Sequence, residues 1–113
     1  MTLEEFRAAA ADALEKLPKA FKDRLSNVEI VISEEAARQG NSILLGLYQG
    51  VPVSERNTWY AGTLPDKITL FKKNIESSCI DDAGIKKMIK ETIIHEVGHH
   101  FGLSEKDIRK TGF

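Results

Sequence analysis

The sequence predicts an α+β domain in which helices pack on one face of a small sheet. Apolar residues recur at helical spacing towards both ends of the chain, and they alternate with polar residues in its middle. A length of 113 residues supplies one hydrophobic core, so residues 1–113 are expected to form a single domain. The hydrophobic fraction of 42% excludes a wholly disordered chain.

The first predicted element is an amphipathic helix. Thr2 is followed three residues later by Glu5, which is the pattern of a capping box at a helix N-terminus. An apolar stripe at helical spacing follows and ends before Pro18; it consists of Leu3, Phe6, Ala10, Leu14 and Leu17. Residues 19–25 predict a further helical turn.

Three segments, residues 28–32, 43–49 and 67–72, have the composition of strands. Gly46 in the second of them indicates a bulge or a close approach of the backbone. The charged ends of the third predict a strand at the edge of the sheet. Residues 34–41 are polar and predict a connection with room for one helical turn. Residues 50–66 form a connection of a length that is often functional.

The C-terminal part predicts a long helix over about residues 83–101. Asp81 or Asp82 is its expected N-cap, and Gly102 is its expected C-terminal stop. Ser104 begins a final short helix.

All three histidines of the chain lie within six residues near the end of this helix. His95, Glu96 and His99 form an H-E-x-x-H pattern, in which the two histidines project from one side of a helix, one turn apart. This spacing predicts that both imidazoles bind one Zn²⁺ and that Glu96 serves as a general base. The alternative is that the histidines only complement the dipole at a helix C-terminus.

The preceding turns of this helix favour the metal site. Four residues lie on the same broad face as His95 and His99, so the expected ligands continue an inward-facing stripe: Ile85, Met88, Ile89 and Thr92. A core stripe that ends in histidines would look similar. His100 is rotated by about 100° from His99, so we expect it to pack or hydrogen bond beside Phe101.

A catalytic zinc usually takes three protein ligands. Gly102 follows His99 by three residues and Glu105 follows Gly102 by three, which gives H-E-x-x-H-x-x-G-x-x-E. This string resembles the elongated zinc motif of the metzincins, with Glu105 where most have a third histidine. Glu105 is therefore the predicted third ligand. Asp107, which also fits a capping box with Ser104, and solvent are the alternatives.

Three strings together resemble the small bacterial zincin-like metallopeptidases, the minimal zincins: LLGLYQGVP (44–52), LPDKITLF (64–71) and ETIIHEVGHHFGLS (91–104). The resemblance covers nearly the whole chain. It implies a minimal zincin fold, with a three- to four-stranded sheet packed on the N-terminal helix and the zinc helix, and a catalytic cleft between sheet and zinc helix. Two features depart from metzincins. No methionine turn follows Glu105, and a chain of 113 residues is expected to be too short for the C-terminal subdomain that forms the lower wall of the cleft.

Two functions are consistent with these residues. The first is a zinc-dependent peptidase with one Zn²⁺ per chain and a peptide or protein substrate that adds to an edge strand. Residues 67–72 are the expected edge, so Ile68, Leu70 and Tyr48 are candidate substrate contacts, and Tyr48 or Tyr60 is a candidate oxyanion donor. The second is a non-catalytic metal-binding or peptide-binding module. The expected absence of this lower wall favours the module, whereas the intact Glu96 favours the enzyme.

Charge and composition restrict the partners. Sixteen Lys and Arg residues against seventeen Asp and Glu residues give a net charge of −1, so we expect no nucleic-acid partner. No run of about 20 apolar residues predicts a membrane span. Cys79 is the only cysteine, and the N-terminus lacks the basic and apolar regions of a signal peptide. We therefore expect a cytoplasmic protein, and a monomer.

Overall fold

The computed structural model describes residues 1–22, 28–50, 65–102 and 106. The helices of these ranges are α1 (Leu3–Glu15), α2 (Lys19–Lys22), α3 (Lys72–Ser77) and α4 (Asp82–His100). The strands are β1 (Val28–Ser33), β2 (Arg38–Gln39), β3 (Ser42–Ile43), β4 (Gly46–Gln49) and β5 (Asp66–Phe71). The α+β class is confirmed. None of the helices in these ranges is both long enough and apolar enough to cross a membrane.

Local sequence signals set the ends of the two long helices. The capping box of α1 is present, because Thr2 accepts from the Glu5 amide at 3.1 Å and Glu5 accepts from the Thr2 amide at 2.9 Å. At the start of α4 the cap is Asp81, whose Oδ1 accepts from the amide of Gly84 at 2.8 Å. Gly102 follows α4 with a φ of +77°, the left-handed conformation that glycine adopts at helix ends.

Within the described ranges, the main sheet has three strands in the order β1–β5–β4, so β1 and β4 are its edges there. β5 pairs in parallel with β1 and antiparallel with β4, so Ile68 lies opposite Ile30 on one side and Tyr48 on the other. Helices α1 and α4 pack against each other, α1 contacts β1, and α4 contacts β4 and β5. The core between helices and sheet contains Phe6, Ala10, Leu17, Ile68, Leu70, Ile89, Ile93 and Val97.

The expectation that residues 67–72 form an edge strand is wrong, because β5 is the central strand of the sheet. Its alternating pattern reflects the two faces of the sheet and not its position in the strand order. Ile68 and Leu70 face the core and are 0% exposed, whereas Lys67 on the other face is exposed. Ile68 and Leu70 therefore lose their basis as substrate contacts, since neither side chain is accessible.

The segment before β4 also differs from the prediction. Residues 34–41 contain β2 in place of a helical turn, and β2 pairs with β3 as a two-stranded hairpin whose turn includes Gly40 at a φ of +61°. The predicted strand 43–49 is accordingly divided into β3 and β4. The buried Asn74 of α3 holds this segment in place by donating to the carbonyls of Ala37 and Leu44, at 2.9 and 2.8 Å. Helix α3 was not predicted from the sequence.

Gly46 marks a close approach of β4 to α4, which confirms the interpretation of this glycine. A Cβ at position 46 would lie 2.6 Å from Cγ2 of Thr92 and 3.2 Å from the carbonyl oxygen of Thr69. Both distances are shorter than normal packing contacts, so the zinc-motif helix and the strand approach each other only because residue 46 has no side chain.

Gly46→Ala is therefore expected to lower the free energy of unfolding by about 1–3 kcal/mol, the usual cost of overpacking a core. Urea unfolding of protein held in chelator measures this change without a contribution from bound metal. Thr92→Ser removes the Cγ2 methyl group, so in that background the cost of Gly46→Ala should be smaller. An equal cost in both backgrounds would place the strain elsewhere.

Candidate metal centre and cleft

The last two turns of α4 present His95 and His99 together. Their ring centres are 5.9 Å apart and the ring planes meet at 67°. A zinc–nitrogen bond of about 2.0–2.1 Å puts two imidazole centres of one tetrahedral site about 5–6 Å apart. The two side chains therefore fit a shared zinc ion, and imidazole nitrogen is a preferred donor for this metal.

Glu96 is held at the sheet by a main-chain donor. The amide of Tyr48 in β4 donates to Oε2 of Glu96 at 3.2 Å, across a contact between residues 48 positions apart in the chain. β4 is an edge strand of the main sheet, and its amides alternate in direction, so Tyr48 can direct its N–H away from β5. The carboxylate of Glu96 is therefore held at the edge of the described sheet, on a helix residue that lies between His95 and His99 in sequence.

The side chain of Tyr48 forms contacts on the face of the sheet that packs against α4. Its hydroxyl donates to Oδ2 of Asp66 at 2.7 Å. Its ring stacks on His100, with ring centres 3.9 Å apart and an interplanar angle of 24°. Because a phenol has one O–H proton, an oxyanion role for Tyr48 would require this bond to Asp66 to be exchanged. That role stays a prediction.

His100 packs as the sequence predicts. Its ring meets the ring of Phe101 edge to face at 5.2 Å, in addition to its stacking on Tyr48. These contacts join the end of α4 to β4 and place His100 outside the pair formed by His95 and His99.

Both candidates for a third metal ligand lie outside the described residues. Within residues 1–22, 28–50 and 65–102, no group of three or more His, Cys, Asp or Glu side chains is close enough to hold a metal ion. Glu105 and Asp107, the two candidates, are both beyond these ranges, and so is Tyr60. Except for residue 106, the final helix predicted from Ser104 also lies outside them, as does most of the long connection 50–66. The choice between Glu105 and Asp107 stays open.

A cleft of about 290 Å³ lies between α4 and the segment that leads into β4, beside the histidine pair. Its lining is mostly apolar, with polar groups from α4: Ile43, Leu44, Leu45, Gly46, Met88, Glu91, Thr92, His95 and Glu96. The expected cleft between sheet and zinc-motif helix is thus present in the described part of the chain. Glu91 was not among the predicted site residues, although its position four residues before His95 places it on the same side of the helix.

Comparison with known proteins gives a family and a fold. The sequence model of the family described as "zincin-like metallopeptidase" matches residues 25–112. The solved structure of a conserved hypothetical protein from Thermus thermophilus is similar with a TM-score of 0.62, over 88% of this chain and 94% of that chain. At 20% sequence identity this similarity shows the fold alone. No curated protein matches the chain.

Proposed function

Because the chain belongs to the zincin-like metallopeptidase family, we propose that it is a zinc-dependent peptidase that holds one Zn²⁺ per chain. One observation carries the proposal. The carboxylate of Glu96 is held by the Tyr48 amide beside the His95–His99 pair, at the rim of a cleft. A purely structural zinc site is closed by four protein ligands and has no use for a base beside it.

Each residue of the site has a distinct role. His95 and His99 would hold the zinc, with Glu105 as the proposed third ligand. When bound, zinc supplies Lewis-acid chemistry, which acidifies water and polarises a carbonyl group. Glu96 takes a proton from the attacking water and passes it to the leaving amine. The Tyr48 amide orients this carboxylate through Oε2, and among the described residues no hydrogen bond involves Oε1, which leaves that oxygen to carry the proton.

An extended substrate would run along β4. β4 is an edge strand, it contacts α4, and it adjoins the cleft, whereas β1 is at the opposite edge of the sheet. An extended peptide that pairs with an edge strand gains main-chain hydrogen bonds. Substrate addition is therefore moved from β5, where the sequence analysis placed it, to β4.

The second candidate function is a non-catalytic metal-binding or peptide-binding module. The small size of the cleft favours it. The proposed partner in both cases is a peptide or protein and not a nucleic acid, since the net charge is −1. We also propose that the protein is a monomer and that it is located in the cytoplasm.

Protein purified without chelator and supplied with zinc is expected to contain about one zinc per chain by elemental analysis. His95→Ala and His99→Ala should each reduce this content, whereas His100→Ala, outside the pair, should retain it. The zinc-loaded protein should also cleave members of a peptide library, and a chelator should stop the cleavage. Zinc near zero in the unmodified protein would remove the basis of the proposal; zinc without any cleavage would favour the module.

A further inference from the structure

Glu91 places a carboxylate in the cleft, one helical turn before His95. Positions four apart on a helix share one side and are separated by about 5.4 Å along the axis. Glu91 is half-buried and lines the cleft together with His95 and Glu96. It does not join them in a metal-holding group, since the described residues contain no such group of three.

No hydrogen bond or ion pair formed by the described residues uses this carboxylate. The lysines close to it in sequence, Lys86, Lys87 and Lys90, line a separate cavity between α1 and α4. Thr92, which lines the same cleft and is 7% exposed, buries an Oγ1 that has no hydrogen-bond partner among those residues. Because the Thr92 Oγ1 is itself buried and its hydroxyl can donate as well as accept, the acceptor that the cleft offers to a ligand is the Glu91 carboxylate. A carboxylate that has no donor among the described residues suits a ligand that brings N–H groups.

The remaining walls are apolar. Ile43, Leu44 and Leu45 form the side next to β4, and Met88 lies on the helix side. A volume of about 290 Å³ accommodates one long side chain rather than a large ligand. A side chain that fits both features has a methylene stem for the apolar walls and a cationic end for Glu91, as lysine and arginine do.

We propose that Glu91 is a specificity-determining residue that selects a lysine or arginine side chain next to the scissile bond of the substrate. The inference rests on the proposed peptidase function, because the cleft opens beside His95 and Glu96 and a peptide along β4 would place one side chain in it. The ion pair forms where the walls exclude part of the water, so it is stronger than a pair on the open surface.

The test measures peptide binding separately from cleavage. Zinc-loaded Glu96→Gln protein is titrated with N-acetylated, C-amidated octapeptides. The peptides differ only at one of the two residues that flank the central bond, and this residue is Lys, Arg, norleucine or Glu. Peptides with Lys or Arg at one flanking position should bind about 10- to 100-fold more tightly than the norleucine peptide, the range expected for a charge-assisted contact. Adding Glu91→Gln should abolish this preference, and Glu91→Lys should reverse it in favour of Glu.

Asp82→Asn is the matched control, because it removes an exposed carboxylate from the first turn of the same helix and should preserve the preference. Glu91→Met, which suits the apolar walls, provides a second variant if Glu91→Gln does not fold. Equal binding of Lys and norleucine peptides, or a preference that survives Glu91→Gln, would each overturn the inference. If the Lys preference is present but the protein with Glu96 intact cleaves no peptide, the peptidase proposal fails, and Glu91 is then the residue that selects a cationic side chain in a peptide-binding module.

Discussion

Glu96→Gln is expected to keep zinc bound and to lower turnover by about 10²–10⁴-fold, the usual contribution of general acid–base catalysis. Glutamine retains an oxygen that can accept the Tyr48 amide at the place of Oε2, so the position of the side chain should be preserved. What it lacks is the ability to take a proton. The measurements are kcat on a peptide that the unmodified protein cleaves, and zinc content by elemental analysis.

Asp82→Asn makes the same chemical change at an exposed position of α4 and should leave kcat and zinc content unchanged. A Glu96→Gln protein that cleaves at the unmodified rate would show that Glu96 is not the base. Loss of zinc in this variant would instead make Glu96 a metal ligand, contrary to the direction in which the Tyr48 amide holds it.

The placement of His95 and His99 on one side of α4 was predictable because it depends only on residues close to them in sequence. The spacing of His95 and His99 determines their common side once the helix forms, and Asp81 and Gly102 determine where the helix begins and ends. The buried stripe of Ile85, Ile89 and Thr92 follows from the same periodicity. Each of these predictions depends on residues within about one helix length of one another.

The order of the strands was not predictable by the same reasoning. β5 has charged ends and an alternating pattern, and both features are compatible with an edge strand or with the centre of a sheet that has one uncovered face. Its central position depends on pairing with β1 and β4, which are distant in sequence. Likewise, nothing near Asn74 in sequence indicates that its amide binds the carbonyls of Ala37 and Leu44, which lie 37 and 30 residues earlier.

The cleft depends both on spacing along α4 and on contacts between residues that are distant in sequence. The helical spacing of Glu91 to His95 places both residues on one side of α4. The proposed role of Glu91 in substrate selection, however, depends on the segment that packs over it and forms the cleft. That segment, with Leu44, Leu45 and Gly46, approaches α4 because Gly46 lacks a side chain and Asn74 fixes the preceding residues. The hydrogen bond from the Tyr48 amide to Glu96 is a consequence of the same approach. Because every residue except proline has a main-chain N–H, no sequence pattern indicates which one will bind Glu96.

Glu105→Ala is expected to weaken zinc binding by at least about 100-fold, because even residues that only orient a ligand contribute about 10- to 100-fold to metal affinity. His95 and His99 alone form an incomplete site. Asp107→Ala should instead cost about 0.5–2 kcal/mol of stability through the lost capping interaction, with little change in zinc affinity. Competition with a chelating dye measures the affinities, and urea unfolding of the metal-free proteins measures the stabilities.

Glu105→His separates the role of position 105 from the effect of losing a charge. It supplies the imidazole that most metzincins have as third ligand, so it should recover the zinc affinity that alanine loses if the turn at Gly102 delivers residue 105 to His95 and His99. Glu105→Gln removes the charge with little change of shape and should bind zinc more weakly than the histidine variant. Unchanged affinity in Glu105→Ala together with a collapse in Asp107→Ala would transfer the ligand role to Asp107, because only the residue that donates to the metal can produce the larger loss.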